Sequence, residues 1–149
     1  MNSRNDSGVV AGPAAGQRGH THRLGGLAGS GLMAALAAMV ATTVAAALAQ
    51  AVGVDLEVPD GGETIPLAGF AVVTGCFSVV GIVVAVALLR WSARPAKRFV
   101  WTAVSLTAIS FVPPLISGAN TATTAALIAL HLVAATVMIP TLARSLRTA

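Results

Sequence analysis

The sequence predicts an all-α membrane protein: a bundle of four transmembrane helices with both termini in the cytoplasm. Three observations carry that prediction. Apolar residues fill 56% of the 149 positions while only 9% are charged, a balance that a soluble globular domain does not reach. The charge-free stretches match the length of a hydrocarbon core, which takes about 20 helical residues to cross. The basic residues, finally, are confined to alternate connectors between those stretches.

Residues 1–23 are rich in Gly, Ser, Asn and Ala, carry Arg4, Asp6, Arg18 and Arg23, and lack a hydrophobic period. They read as a disordered cytoplasmic tail, and residues 24–149 as one transmembrane domain. The first span covers about 27–49 and contains no charge. Ala47-Leu48-Ala49 looks like a signal-peptidase site, but a cleavable signal has only about 7 to 15 apolar residues, so a retained span is expected. The segment VDLEVPDGGET follows, where Pro59, Gly61 and Gly62 break structure and Asp55, Glu57, Asp60 and Glu63 require water. The second span runs over about 65–89, the third over about 99–117 and the fourth over about 124–142, the last two joined by the neutral turn GANTAT.

Charge then orients the chain. Arg4, Arg18 and Arg23 precede the first span, Arg90, Arg94, Lys97 and Arg98 lie between the second and third, and Arg144 and Arg147 follow the fourth. The acidic first loop has no base. With four spans all nine cations share one side, which the positive-inside rule makes the cytoplasm of a plasma membrane. Trp91 and Trp101 flank the same basic turn, where indole favours the headgroup boundary. Arg90, Arg94, Lys97 and Arg98 are therefore expected to contact lipid headgroups, each contributing about 1 kcal/mol. The net charge of +4 does not imply a nucleic-acid partner, because the bases are not interleaved with aromatics on a polar face.

Lipid gives no hydrophobic reward for association, so small residues and interhelical hydrogen bonds must hold the bundle. Ser30, Ala34, Ala38, Thr42 and Ala46 form one small stripe, and Thr74, Ser78, Gly81 and Ala85 a second. Kinks are expected at Pro113-Pro114 and at Pro140, with Ser110, Thr136 and Thr141 supplying the freed carbonyls.

His131 and Cys76 are the titratable side chains inside the spans. At about 1.5 Å per residue, His131 lies about 11 Å deep, level with Thr74, Cys76 and Ser78 of the second span and Thr107 and Ser110 of the third. These six are the candidate intramembrane polar layer, with His131 as its acid-base group. The plainer reading is a packing histidine that donates to a Ser or Thr on a neighbouring helix. Catalysis is not expected. Bis-histidine haem lacks a second deep His, a Ser110–His131 hydrolase lacks an orienting carboxylate, and a zinc site lacks ligands. The single Cys76 forms no disulfide framework, the acidic loop matches no calcium motif, and neither a metal nor a cofactor is expected.

Phe70, Thr74 and Gly75, the Arg94-Pro95 turn with Phe99, the Ser110 to Pro113 segment, and His131 followed by Pro140 together resemble a family of small four-helix membrane proteins of unknown function found in actinobacteria. The resemblance extends from Ile65 to Arg144, about the last 85 residues, and it implies the architecture and a role for His131 without implying a reaction. The expected function is that of a non-enzymatic cell-envelope protein that packs against lipids, other membrane proteins or copies of itself. The alternative is a small transporter or channel component built around His131.

Overall fold

A computed structural model of the chain describes residues 14–58 and 63–148. Helix α1 spans Ala14–Ala51 and is followed by two short strands, β1 at Glu57–Val58 and β2 at Glu63–Thr64. Then come α2 at Leu67–Trp91, α3 at Pro95–Ile109, α4 at Val112–Ile116 and α5 at Thr121–Thr148. Four segments, Arg23–Ala51, Leu67–Trp91, Pro95–Ile116 and Thr121–Thr148, are long and apolar enough to cross a membrane. The all-α architecture of four long apolar helical segments expected from the sequence is thus present.

The differences have local causes. Part of the expected disordered tail, residues 1–13, lies outside the described residues, while from Ala14 onward the chain is already helical. No proline intervenes between Pro13 and Pro59, and propagating a formed helix costs far less than nucleating one. The third span is broken at Ser110-Phe111 rather than continuous. Pro113 and Pro114 have no N–H to offer the carbonyls of Ile109 and Ser110, so the chain closes one helix there and starts another with proline in its first turn. Pro140, by contrast, sits inside an uninterrupted α5.

The hydroxyls do not supply the carbonyls that the prolines free. Ser110 donates to the Thr107 carbonyl at 2.7 Å, Thr136 to Val133 at 2.9 Å and Thr141 to Val137 at 2.7 Å. A helical Ser or Thr reaches only the carbonyl three or four residues before it, and the carbonyls freed by the prolines fall at other offsets.

The acidic loop carries more structure than a plain turn. α1 stops where Gly53 adopts φ +90°; Val54 N–H then donates to the Ala49 carbonyl and Gly53 N–H to that of Gln50, each at 3.0 Å. This is the paired bonding of a Schellman cap. β1 and β2 pair antiparallel, Glu57 opposite Thr64 and Val58 opposite Glu63. Ahead of them Leu56 takes a left-handed φ of 49°, at a cost of about 1 to 2 kcal/mol for a residue with a Cβ. That twist turns the Leu56 side chain inward, fully buried beside Ala46 of α1 and Leu130 of α5, while Asp55 and Glu57 stay exposed. Its carbonyl accepts the Ile65 N–H at 3.2 Å. Burying a leucine is worth about 1.5 to 3 kcal/mol, enough to offset the backbone strain.

The helices form a four-membered ring. α1 packs along both α2 and α5, α3 packs on α5 and α2, and α2 and α5 touch only sparingly across the middle. Short connections make sequence neighbours antiparallel. The expected stripe on α1 is the seam: Ala34, Ala38, Thr42 and Ala46 are buried, with Leu27, Gly31 and Ala35 beside them. Ser78 and Ala85 are buried on the facing stripe of α2. The main core joins Leu27, Ala34, Ala35, Ala38 and Ala85 to Phe99 of α3 and to Met138, Leu142, Ala143 and Leu146 of α5. Two hydroxyl pairs cross the seam, Ser30 to Ser145 at 2.7 Å and Thr42 to Thr74 at 3.1 Å.

Of the described glycines, Gly31 is the most tightly enclosed. A Cβ there would sit 2.8 Å from Ile82 Cγ1 of α2 and 3.2 Å from Leu142 Cδ2 of α5, whereas one at Gly29 would meet nothing within 4 Å. Overpacking of this kind costs about 1 to 3 kcal/mol. Gly31→Val is therefore expected to lower the unfolding midpoint in detergent clearly, and Gly29→Val to leave it within about 0.5 kcal/mol; equal effects would mean that α1 does not meet α2 and α5 at Gly31.

Candidate functional site

The six candidates of the polar layer are held in different ways. Thr74 is half-buried on α2, and its hydroxyl meets that of Thr42 on α1. Thr42 donates its own proton to the Ala38 carbonyl at 2.8 Å, which makes Thr74 the donor across the seam. Ser78 is buried one turn further along α2. Cys76 is exposed on the outer side of that helix. On α3, Thr107 donates to the Ala103 carbonyl at 2.9 Å and Ser110 to the Thr107 carbonyl. Among the described residues no hydrogen bond links His131 to any of the other five.

His131 instead bonds within its own helix. Its Nδ1 lies 2.7 Å from the Leu127 carbonyl oxygen, and since a carbonyl only accepts, Nδ1 carries a proton and donates it there. The expected donation to a hydroxyl on a neighbouring helix does not occur, because the carbonyl one turn back is nearer to a ring held on the helix. Across from it stands Phe111, edge to face, with centroids 6.3 Å apart and planes at 83°. Such a pair contributes about 0.5 to 1.5 kcal/mol. Phe111 occupies the break between α3 and α4, so the one histidine among the spans is packed against the one interrupted span.

Near the start of α5, the Asn120 side-chain oxygen accepts the Thr123 N–H at 2.8 Å and caps the helix. The Thr123 hydroxyl is fully buried and has no hydrogen-bond partner among the described residues. Nothing in the sequence patterning marked it, because its burial depends on how α5 seats against its neighbours.

The opposite end of the bundle is cationic. Arg90 lies in the last turn of α2, Arg94 precedes α3, and Pro95 occupies the first turn of α3. Arg90, Arg94, Lys97 and Arg98 are all exposed, as are Trp91 and Trp101, at 78% and 67%. An open groove of about 560 Å³ lies here, lined by Leu88, Ala93, Arg94, Lys97, Arg98, Trp101 and Thr102. Arg94, Lys97, Arg98 and Trp101 recur at helical spacing, so α3 presents them on one face. That spacing was available in the sequence. The contribution of Leu88 from α2 was not, because it depends on the angle between the two helices.

Among the described residues no carboxylate, thiol or hydroxyl makes a hydrogen bond to His131. Described residues also contain no cluster of His, Cys, Asp and Glu that could hold a metal ion. No curated protein and no solved structure matches the chain. A family model does match, over residues 22–148, a wider extent than the Ile65 to Arg144 resemblance because it takes in α1 as well. With nearly the whole described chain covered, this protein belongs to the family of unknown function DUF6069.

Proposed function

We propose that the chain is a multi-pass integral protein of the plasma membrane, with both ends cytoplasmic, that acts without catalysis by packing against lipid and other membrane proteins. One observation carries the reading. Large apolar side chains stand exposed on every spanning segment, among them Leu36, Val40 and Val44 on α1, Phe77 and Val80 on α2, Val104 and Ile109 on α3, and Leu132 on α5. The buried stripe of α1, by contrast, is mostly Ala, Gly and Thr, with a small number of larger side chains such as Leu27, Leu142 and Phe99 closed against it. A protein in water would invert that arrangement, whereas hydrocarbon favours it.

Charge supports the orientation. Arg94 and its neighbours lie at the end where Leu27, Phe99 and Leu146 cluster, and Asp55 and Glu57 at the end closed by Leu56. The Ser30 to Ala46 stripe is consumed inside the bundle, so contact with partners falls to the outward faces. The tight fit at Gly31 favours a packed body over a conduit along that seam.

A second reading, a small transporter or channel component, draws on the break in the third span at Phe111 beside His131.

Orientation is tested in a Cys76→Ser background. Impermeant maleimide applied to intact cells is expected to label Asp55→Cys and to reach Ala93→Cys only after permeabilisation; labelling of Ala93→Cys from outside would reverse the topology, and release by alkaline washing without detergent would end the membrane reading. A photocrosslinker at Val40 should yield protein adducts and one at Ala38 only intramolecular ones, with lipid alone captured at Val40 counting against a packing role. In proteoliposomes, proton leak is expected to equal that of empty vesicles, for wild type and His131→Ala alike. A leak that His131→Ala abolishes would put the transporter reading first.

A further inference from the structure

The groove at the α2–α3 turn has a composition that the rest of the cationic end does not share. Its walls combine three side chains of one sign, Arg94, Lys97 and Arg98, with the indole of Trp101 and the apolar Leu88. The acids whose side chains are described, Asp55 and Glu57, lie at the other end of the molecule, so among the described residues no carboxylate stands beside these cations. Arg94 makes no side-chain cap at the N-terminus of α3 and there is no acid in that first turn, which leaves the positive end of the helix dipole facing the same space. A concave surface with concentrated positive charge, forked guanidinium donors and an adjoining apolar wall is complementary to a phosphate joined to hydrocarbon.

We propose that this groove is a discrete site for one anionic phospholipid, its phosphate held by Arg94, Lys97 and Arg98 and the start of its acyl chains against Trp101 and Leu88. The proposal rests on the membrane reading above, since only embedding brings the groove to headgroup level. It goes further in separating three cations from the others. Arg90, Arg144 and Arg147 belong to the same end of the bundle but do not line the groove, and diffuse attraction to an anionic surface would count all six alike.

The test uses the full chain purified in neutral detergent, supplied with equal phosphatidylglycerol and phosphatidylcholine, with retained lipid counted by native mass spectrometry. One phosphatidylglycerol per chain is expected, preferred about tenfold over phosphatidylcholine. Replacing Arg94, Lys97 and Arg98 together by Gln should weaken its retention at least about tenfold, while the same replacement of Arg90, Arg144 and Arg147 should change it by less than about twofold. Equal losses in the two triple variants, no preference between the lipids, or displacement of the lipid by excess inorganic phosphate would each overturn the proposal. Should the groove variant fail to fold, the Trp91→Phe protein gives an independent answer: Trp101 fluorescence is expected to be quenched more by brominated phosphatidylglycerol than by brominated phosphatidylcholine, and equal quenching overturns the site. A chain that fails to sediment with phosphatidylcholine vesicles would defeat the membrane reading itself, whereas one that sediments without headgroup preference defeats the groove alone.

Discussion

The close approach of α1 to both α2 and α5 is the contact on which the rest of the bundle depends. In hydrocarbon, apolar helices gain nothing from hiding apolar surface, so what binds them is the density of van der Waals contact and a few hydrogen bonds. Both rise steeply as backbones come nearer. Gly31 permits that approach at the point where Ile82 and Leu142 converge, and Ala34, Ala38 and Ala46 keep the seam narrow over the following turns. Ser30 with Ser145 and Thr42 with Thr74 fix the register along it. Each pair is weak, about 0.6 kcal/mol, but the pairs lie at two heights on two different interfaces, so a slip of either helix breaks one of them.

The two ends of the bundle are finished by different physics. At the acidic end, Gly53 closes α1 by a Schellman cap and the strained Leu56 turns inward between Ala46 and Leu130, so that the loop is pinned from inside while Asp55 and Glu57 remain exposed. Strain and burial are nearly balanced there, and the small hairpin extends a geometry that Leu56 has already set. At the basic end Leu27, Phe99 and Leu146 are buried within the bundle, and Arg94, Lys97 and Arg98 stand around an open groove outside them. The acidic end is closed by a strained loop residue; the basic end presents charge and an apolar wall to whatever lies against it.

His131 shows how a residue chosen by rarity can be occupied by ordinary bonding. A lone imidazole in a span is a functional candidate by default, and grouping it with Thr74, Cys76, Ser78, Thr107 and Ser110 followed from equal depth. Depth along the axis fixes only one of the two coordinates that matter. The other, the rotation of each helix, sends Cys76 outward, turns Thr74 toward Thr42, and leaves Thr107 and Ser110 bonded to carbonyls of their own helix. What His131 meets instead is Phe111 at the break in the third span, a pairing that joins two features read separately in the sequence.

The sequence by itself determined the four long apolar helical segments, the contrast between an acidic and a basic end, the small-residue seam of α1 and a distortion near Pro113-Pro114. Each of these follows from one-dimensional quantities: length of apolar run, placement of charge, four-residue spacing and a missing N–H. Tertiary structure alone decided that α1 lies between α2 and α5, that Gly31 is enclosed by Ile82 and Leu142, that Leu56 folds inward, that Thr123 is sealed from solvent, and that Leu88 completes the groove beside Arg94. Those outcomes depend on how helices are rotated and inclined against one another. An amphipathic helix in water would advertise its rotation by its polar face, but helices that are apolar all round carry no such mark, so the orientation is settled only when the small residues find partners across the seam.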